Sequence, residues 1–324
     1  MKFLVFGFSV TAESDGYVER CAALCASAHP DHEVTKVAIG GLQPDHARHL
    51  VEDIVSKHKP DALIIEIATA VYRLRPENPA QIADHTAGME ALFEICRRRG
   101  MHCGILDLPL TGVQPDRDWM AATDAGLSAR YRVPHRVVPL TEGTLRDNVH
   151  PNDAGKDMYA AALFDLIEEV AATPPDFSAL KSRRQFGAYA ISDVSVPGGV
   201  YRDFSRAGFR EKMLSIPEGG TAEIQLPDRV SITGLIMLMG PTSGTFLIRM
   251  GEVGDRMHCY DRHCYYERVG GKPLKPTVSD RITIFQDSAL PPEELLKGDK
   301  DHGPRAGGIT HILYETAVPG SDRA

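Results

Sequence analysis

The sequence predicts an α/β domain built on a doubly wound parallel sheet over residues 1–173, followed by an antiparallel β-sandwich domain of jelly-roll character over residues 177–324. Three observations predict it. Strand-like and helix-like segments alternate through the first half, the pattern of βαβ units. Short β-rich runs parted by Gly, Pro and Asp turns fill the second half, the spacing of a sandwich. Between the halves stands Thr173-Pro174-Pro175-Asp176, where paired prolines cannot continue a helix. A chain of 324 residues also suits two domains better than one.

Lys2-Phe3-Leu4-Val5-Phe6 opens the chain as a short apolar run, the mark of a buried strand. Residues 12–28 carry Tyr17, Val18, Cys21, Leu24 and Cys25 at helical spacing, and Glu13, Ser14 and Asp15 suit a first turn. Residues 33–39 alternate like a strand ended by Gly40-Gly41. Residues 45–58 place Ala47, Leu50, Val51, Ile54 and Val55 on one helix face. The run at 62–67 is nearly all apolar, as in a parallel sheet covered on both faces. A helix over 80–99 ends in Arg97-Arg98-Arg99-Gly100, which suits a C-terminus. A strand over 103–108, an irregular stretch around Trp119, a short strand over 136–140 and a helix over 154–171 complete the domain.

Beyond the prolines, strands are expected over 186–191, 221–226, 232–239, 245–250, 257–268, 281–286 and 308–314. The charged insert over 291–304 reads as an exposed loop. A net charge of −8 argues against a nucleic-acid partner bound through phosphate neutralisation. No apolar run is long enough to span a bilayer, so no membrane partner is expected. The amino terminus shows no secretory pattern, which predicts a cytoplasmic location. The six cysteines form no CxxC pair and are expected as free, buried thiols. Oligomeric state is not legible.

Two stretches carry chemistry. In Asp147-Asn148-Val149-His150-Pro151-Asn152 an acid stands three residues before a histidine, in a loop leading into a helix. A carboxylate behind an imidazole holds its tautomer and leaves the far nitrogen free to take a proton. That pair needs a hydroxyl, and Ser9 in Gly7-Phe8-Ser9-Val10-Thr11 is the best candidate, at the C-terminal end of the first strand, where open α/β sheets keep their ligand sites. The plainer readings are that Ser9 caps the following helix and that His150 is a satisfied loop histidine.

These two stretches resemble the first and last blocks of the SGNH (GDSL-like) hydrolases, over roughly residues 1–172, although Phe8 stands where that family usually has Asp. The resemblance implies a flavodoxin-like fold and esterase or deacetylase activity. It assigns Ser9 as nucleophile, His150 as general base and then acid, and Asp147 as its orienting carboxylate. It also implies an oxyanion hole made of the Ser9 amide, a glycine amide after the second strand (Gly41 or Gly40) and an asparagine after the third. The asparagine is missing, because the equivalent stretch reads Glu66-Ile67-Ala68-Thr69-Ala70. Loss of one such donor costs about 10²–10³ in rate. Thr69 is the nearest substitute hydroxyl and Arg73 a substitute cation; the alternatives are a two-donor esterase or a site that has lost hydrolysis.

The expectation is therefore a serine esterase acting on an O-acyl, and specifically O-acetyl, group of a glycan or small-molecule ester, with no metal or organic cofactor. A polysaccharide O-acetyltransferase using the same triad and a non-catalytic glycan-binding protein are the alternatives. The run from Met257 to Cys264 holds His258, Cys259, His263 and Cys264, which are metal-ligand types without the spacing of a zinc site, so no metal is expected. Tyr260, Tyr265, Tyr266, Arg262 and Arg268 either touch a glycan or are ordinary packing; the second domain has no Trp to offer a stacking platform.

Overall fold

The computed structural model describes residues 1–181, 184–289, 295–296 and 303–317, and the chain forms two compact units, 1–185 and 186–317. The division falls after the proline pair and not at it. Phe177 still belongs to the first unit: its ring stacks on Phe93, with centroids 5.7 Å apart, and the Asp176 amide donates to the Tyr131 carbonyl.

The first unit is a five-stranded parallel sheet, β1 Lys2–Gly7, β2 Glu33–Ala38, β3 Ala62–Ile65, β4 His102–Asp107 and β5 His135–Val137, in the order β2-β1-β3-β4-β5. This is the flavodoxin-type order that the resemblance implies, with its topological switch point between β1 and β3. Strand side chains alternate faces, and Phe3, Leu4, Val5 and Phe6 are all fully buried, so both faces of the sheet are covered. Helices α1 (Tyr17–Ala28) and α5 (Asp153–Ala172) share one core with Phe3 and Val5, and Tyr17 meets Tyr159 edge-on. Helices α2 (Pro44–His58) and α3 (Pro79–Arg99) pack on each other.

One helix escaped the sequence reading. The stretch around Trp119 is α4, Trp119–Tyr131, capped by the Asp118 side chain on the Ala121 amide. Its buried stripe includes Asp124, which bonds His85 of α3 at 2.9 Å, and a buried acid breaks the apolar periodicity that reveals a helix. Helix α1 also starts later than expected, at Tyr17 behind Gly16, because the chain leaving Ser9 first makes a turn in which the Ala12 amide donates to the Phe8 carbonyl.

The second unit is one eight-stranded sheet in the order β11-β10-β12-β9-β13-β8-β7, with β6 (Arg184–Ala190) on β13. Strands β9 (Thr221–Met239) and β12 (Arg268–Asp287) pair along most of their length, with register shifts at Pro273/Thr277 and Ser279/Arg281 where the ladder bends. Their inward residues, with those of β10 (Thr245–Met250) and β13 (Gly307–Ala317), wrap a core of Ile224, Ile232, Met237, Phe246, Ile284 and Ile312. The hairpin β7 (Val200–Arg206) and β8 (Phe209–Ile216) turns on Ala207-Gly208, both at positive φ, the backbone that a tight two-residue hairpin demands. The expected strand over 257–268 is instead the end of β11 (Val253–His258), a turn, and the start of β12. Most of the 291–304 insert lies outside the described residues.

All six cysteines are buried and unpaired, with Cys21 and Cys25 Sγ atoms 3.9 Å apart on one face of α1. No helix among the described residues is long and apolar enough to cross a membrane.

Candidate active site

Ser9 sits in the turn that leaves β1, at the C-terminal edge of the sheet and beside the switch point. The turn is tied from two sides: Gly7 carbonyl accepts from the Ile39 amide at 3.1 Å, and Phe8 carbonyl accepts from the Ala12 amide at 2.9 Å. The first of these bonds docks the end of β2 against the turn. Gly40 is then so close that a side chain on it would start 3.6 Å from Ser9 Cβ. Among the described residues no acceptor takes the amides of Ser9, Gly40 or Gly41.

His150 comes from the loop before α5. An antiparallel bridge between Leu145 and Pro151 closes that loop, together with the Arg146 amide on the His150 carbonyl and the Asn152 amide on the Thr144 carbonyl. Asn152 then caps α5 by accepting from the Gly155 amide. Inside the loop, Asp147 Oδ1 accepts from the Val149 and His150 amides at 2.9 and 2.8 Å, and Asp147 Oδ2 lies 2.9 Å from His150 Nδ1. Burial pushes the Asp147 carboxyl up, but the two amides and the ring outweigh it and hold it below the usual carboxylate range. Asp147 is thus an anion whose position is set by backbone, and it fixes the ring tautomer with Nε2 unprotonated. His150 Nε2 lies 3.1 Å from Ser9 Oγ. Arg146 pairs with Glu13, linking the His150 loop to the segment after Ser9. The structure therefore brings Ser9, His150 and Asp147 into one hydrogen-bonded line.

The region after β3 differs from what an oxyanion donor needs. Thr69 is buried, and its hydroxyl donates to Glu66 Oε1 at 2.9 Å, so a proton aimed at an oxyanion would have to leave that carboxylate. Arg73 is buried as well. It pairs with Asp118 and donates to the carbonyls of Leu108, at 2.8 Å, and Ala68. The residue that sequence reasoning passed over is Glu66 itself, fully buried beneath the Ser9 turn. It accepts from Thr11 Oγ1 at 2.7 Å as well as from Thr69, and the nearby amides of Phe8 and Thr69 favour its charged form. Burial, only partly offset by those donors, raises its carboxyl to about 7. A lone acid closing a wholly apolar four-residue strand was the available signal.

A cavity of about 400 Å³ is lined by Pro109, Leu110, Val113, Val138, Pro139 and Leu140. Thr111, in the same loop, donates its amide to the Asn148 carbonyl, so this wall is anchored to the His150 loop. In the second unit, the metal-ligand types have other partners: His258 Nδ1 lies 2.9 Å from Thr245 Oγ1, and Cys264 Sγ contacts Asp261. Residues 259–267 lie outside any strand, between β11 and β12, so these side chains do not line one extended strand. Tyr260 and Arg268 are buried, Arg268 on Asp261, while Tyr266 is exposed beneath the Arg206 guanidinium.

No family model matches the chain. Among curated proteins, tRNA pseudouridine synthase B of Chromobacterium violaceum is 23% identical over 233 residues, spanning 68% of this chain and 70% of that protein. Among solved structures, a two-domain esterase active on acetylated mannans, co-crystallised with mannopentaose, superposes with a TM-score of 0.69 at 12% identity, covering 98% of this chain and 91% of that one. A second structure of a two-domain esterase active on acetylated mannans gives 0.67, at 12% identity and 98% and 92% coverage. The chain shares the fold of these proteins across both units.

Proposed function

We propose that this chain is a serine esterase of SGNH type that removes acyl, specifically acetyl, groups from hydroxyls of a carbohydrate. The observation that carries the reading is the line Ser9 Oγ to His150 Nε2 to Asp147, at 3.1 and 2.9 Å, beside unpartnered amides. In this reading Ser9 Oγ attacks the ester carbonyl as its proton passes to His150 Nε2, and Asp147 stabilises the imidazolium. The amides of Ser9 and of Gly41 or Gly40 meet the oxyanion. Collapse expels the sugar alcohol, which takes the proton from His150 and leaves acetyl-Ser9. Water then attacks the acyl-enzyme with His150 as base, and acetate leaves. The sugar preference is drawn from the fold shared with esterases active on acetylated mannans. A tRNA substrate, which the pseudouridine synthase likeness raises, is disfavoured by the net charge of −8.

The bonds that hold Thr69 and Arg73 favour a two-donor oxyanion hole, and they also motivate the second reading, a non-catalytic glycan-binding protein. A fluorophosphonate probe separates the two. Labelling that disappears in Ser9→Ala, with acetate released from a panel of acetylated sugars and nitrophenyl esters, is expected. No labelling of the folded wild-type protein would overturn the esterase. Product formation that requires a sugar acceptor, with little hydrolysis, would make it an O-acetyltransferase.

A further inference from the structure

We propose that Glu66 is a positioning residue for the reaction of Ser9: its ionised carboxylate clamps the turn after β1 to the turn after β3 and so aims the Ser9 amide. This rests on the esterase reading above. The geometry is specific. Glu66 enters from β3, where its own amide extends the ladder to the Phe6 carbonyl at 2.8 Å. Its two oxygens each receive a hydroxyl, Thr11 on Oε2 at 2.7 Å and Thr69 on Oε1 at 2.9 Å. Thr11 and Phe8 bracket Ser9 in the chain. Thr11, two residues after Ser9, is thereby tied to the turn after β3, and the Phe8 C=O is held on the Ala12 amide. That carbonyl shares a rigid plane with the Ser9 N–H, so fixing one sets the direction of the other. Gly7 makes the approach possible, since a side chain there would start 2.8 Å from Glu66 Oε2 and 2.2 Å from Thr11 Oγ1.

The clamp depends on charge. An ionised carboxylate is acceptor-only and can serve both hydroxyls, one on each oxygen; a protonated one carries an O–H of its own and must drop or turn one of them. The titratable groups that face this carboxylate are Tyr17 from α1, which bonds Thr11 Oγ1 at 2.9 Å, and Tyr159 from α5; burial keeps both phenols protonated well above neutral pH. The carboxyl itself, raised to about 7 by burial, changes charge near neutral pH.

The test is the pH profile of kcat/KM for wild type and Glu66→Gln on a nitrophenyl acetate. For wild type the acid limb is expected to fall with the square of the proton concentration, as two groups must lose protons. In Glu66→Gln it should fall in simple proportion, with kcat lower by about a hundredfold and KM unchanged within about twofold. A variant with wild-type kcat, or with low kcat but an unchanged acid limb, would overturn the clamp. Should the variant not fold, ¹³C-glutamate NMR of the wild-type protein provides the second measurement. A carboxyl midpoint near 7 that moves in Thr11→Val, tracked by the Ser9 amide shift, is expected; its absence overturns the proposal. Turnover that survives Ser9→Ala would instead bring down the esterase reading, while the NMR titration still decides the clamp.

Discussion

The Thr69 hydroxyl donates to the Glu66 carboxylate at 2.9 Å, beneath the turn that carries Ser9. The side chain nearest the missing asparagine thus works inward, on the scaffold, and in the proposed mechanism the oxyanion falls to the unpartnered amides of Ser9 and of Gly41 or Gly40. Thr69→Val is accordingly expected to lower kcat by less than about tenfold, well short of the 10²–10³ that a lost oxyanion donor costs. Steady-state kinetics on an acetyl ester measures it, and a loss of 10² or more would make Thr69 a direct donor.

Asp147 holds His150 but its side chain is 51% exposed. In a buried triad, replacing the orienting aspartate by asparagine costs about 10⁴ in kcat. Here water can take part of that role, and Asp147→Asn is expected to lose clearly less than about 10⁴, with Ser9→Ala and His150→Ala losing more than Asp147→Asn. Equal losses in all three variants would show that the exposure does not matter.

Gly7 has no room for a methyl group against Thr11 Oγ1 and Glu66 Oε2. Gly7→Ala should destabilise the first unit by about 1–3 kcal/mol, the usual cost of overpacking. Thermal unfolding reads the change, and Gly7→Ala combined with Thr11→Ala, which removes the nearer obstacle, should recover part of it. Gly7→Ala with an unaltered Tm would contradict the crowding.

Glu66 has a sign that runs against most carboxylates. Its folded-state value, about 7, lies above the ordinary 4.5, so the folded protein holds this proton more tightly than the unfolded chain does. The group's contribution is full below pH 4.5 and is lost as pH rises through about 7. Wild type should then be less stable at pH 8 than at pH 5 by an amount on the order of 3 kcal/mol from this residue. Urea unfolding at the two values, with Glu66→Gln as the reference that lacks the slope, checks it; parallel slopes would refute it.

Much of the fold was legible because burial leaves a period in the sequence. The run from Lys2 to Phe6, the face of Leu50, Val51 and Ile54, and the strand over 245–250 are simple apolar patterns, and each became the expected element. What was missed had a physical cause. Asp124 lies inside the apolar stripe of α4 because His85 pairs with it, and no local signal announces a partner from another helix. Strands β7 and β8 are rich in charge, since one face of that hairpin is exposed, and their signal was the Ala207-Gly208 turn. β9 continues through Pro227, which reads as a break but is accommodated within a bent strand. At the site, Ser9, Asp147 and His150 could be named from their residue types and neighbours. Glu66 could not, because its role depends on β1 and β3 lying side by side, which the spacing of the chain does not state.

Ser9 and His150 are 141 residues apart in the chain, yet their side chains touch. A ribosome making this protein therefore releases the proposed nucleophile long before the proposed base exists. Until the loop ahead of α5 has emerged and that helix has docked beside Tyr17, the growing polypeptide holds a bare serine hydroxyl with no proton acceptor beside it. On the proposed mechanism reactivity arrives only with the completed first unit, so the appearance of labelled Ser9 during synthesis would time the closing of the sheet layer itself.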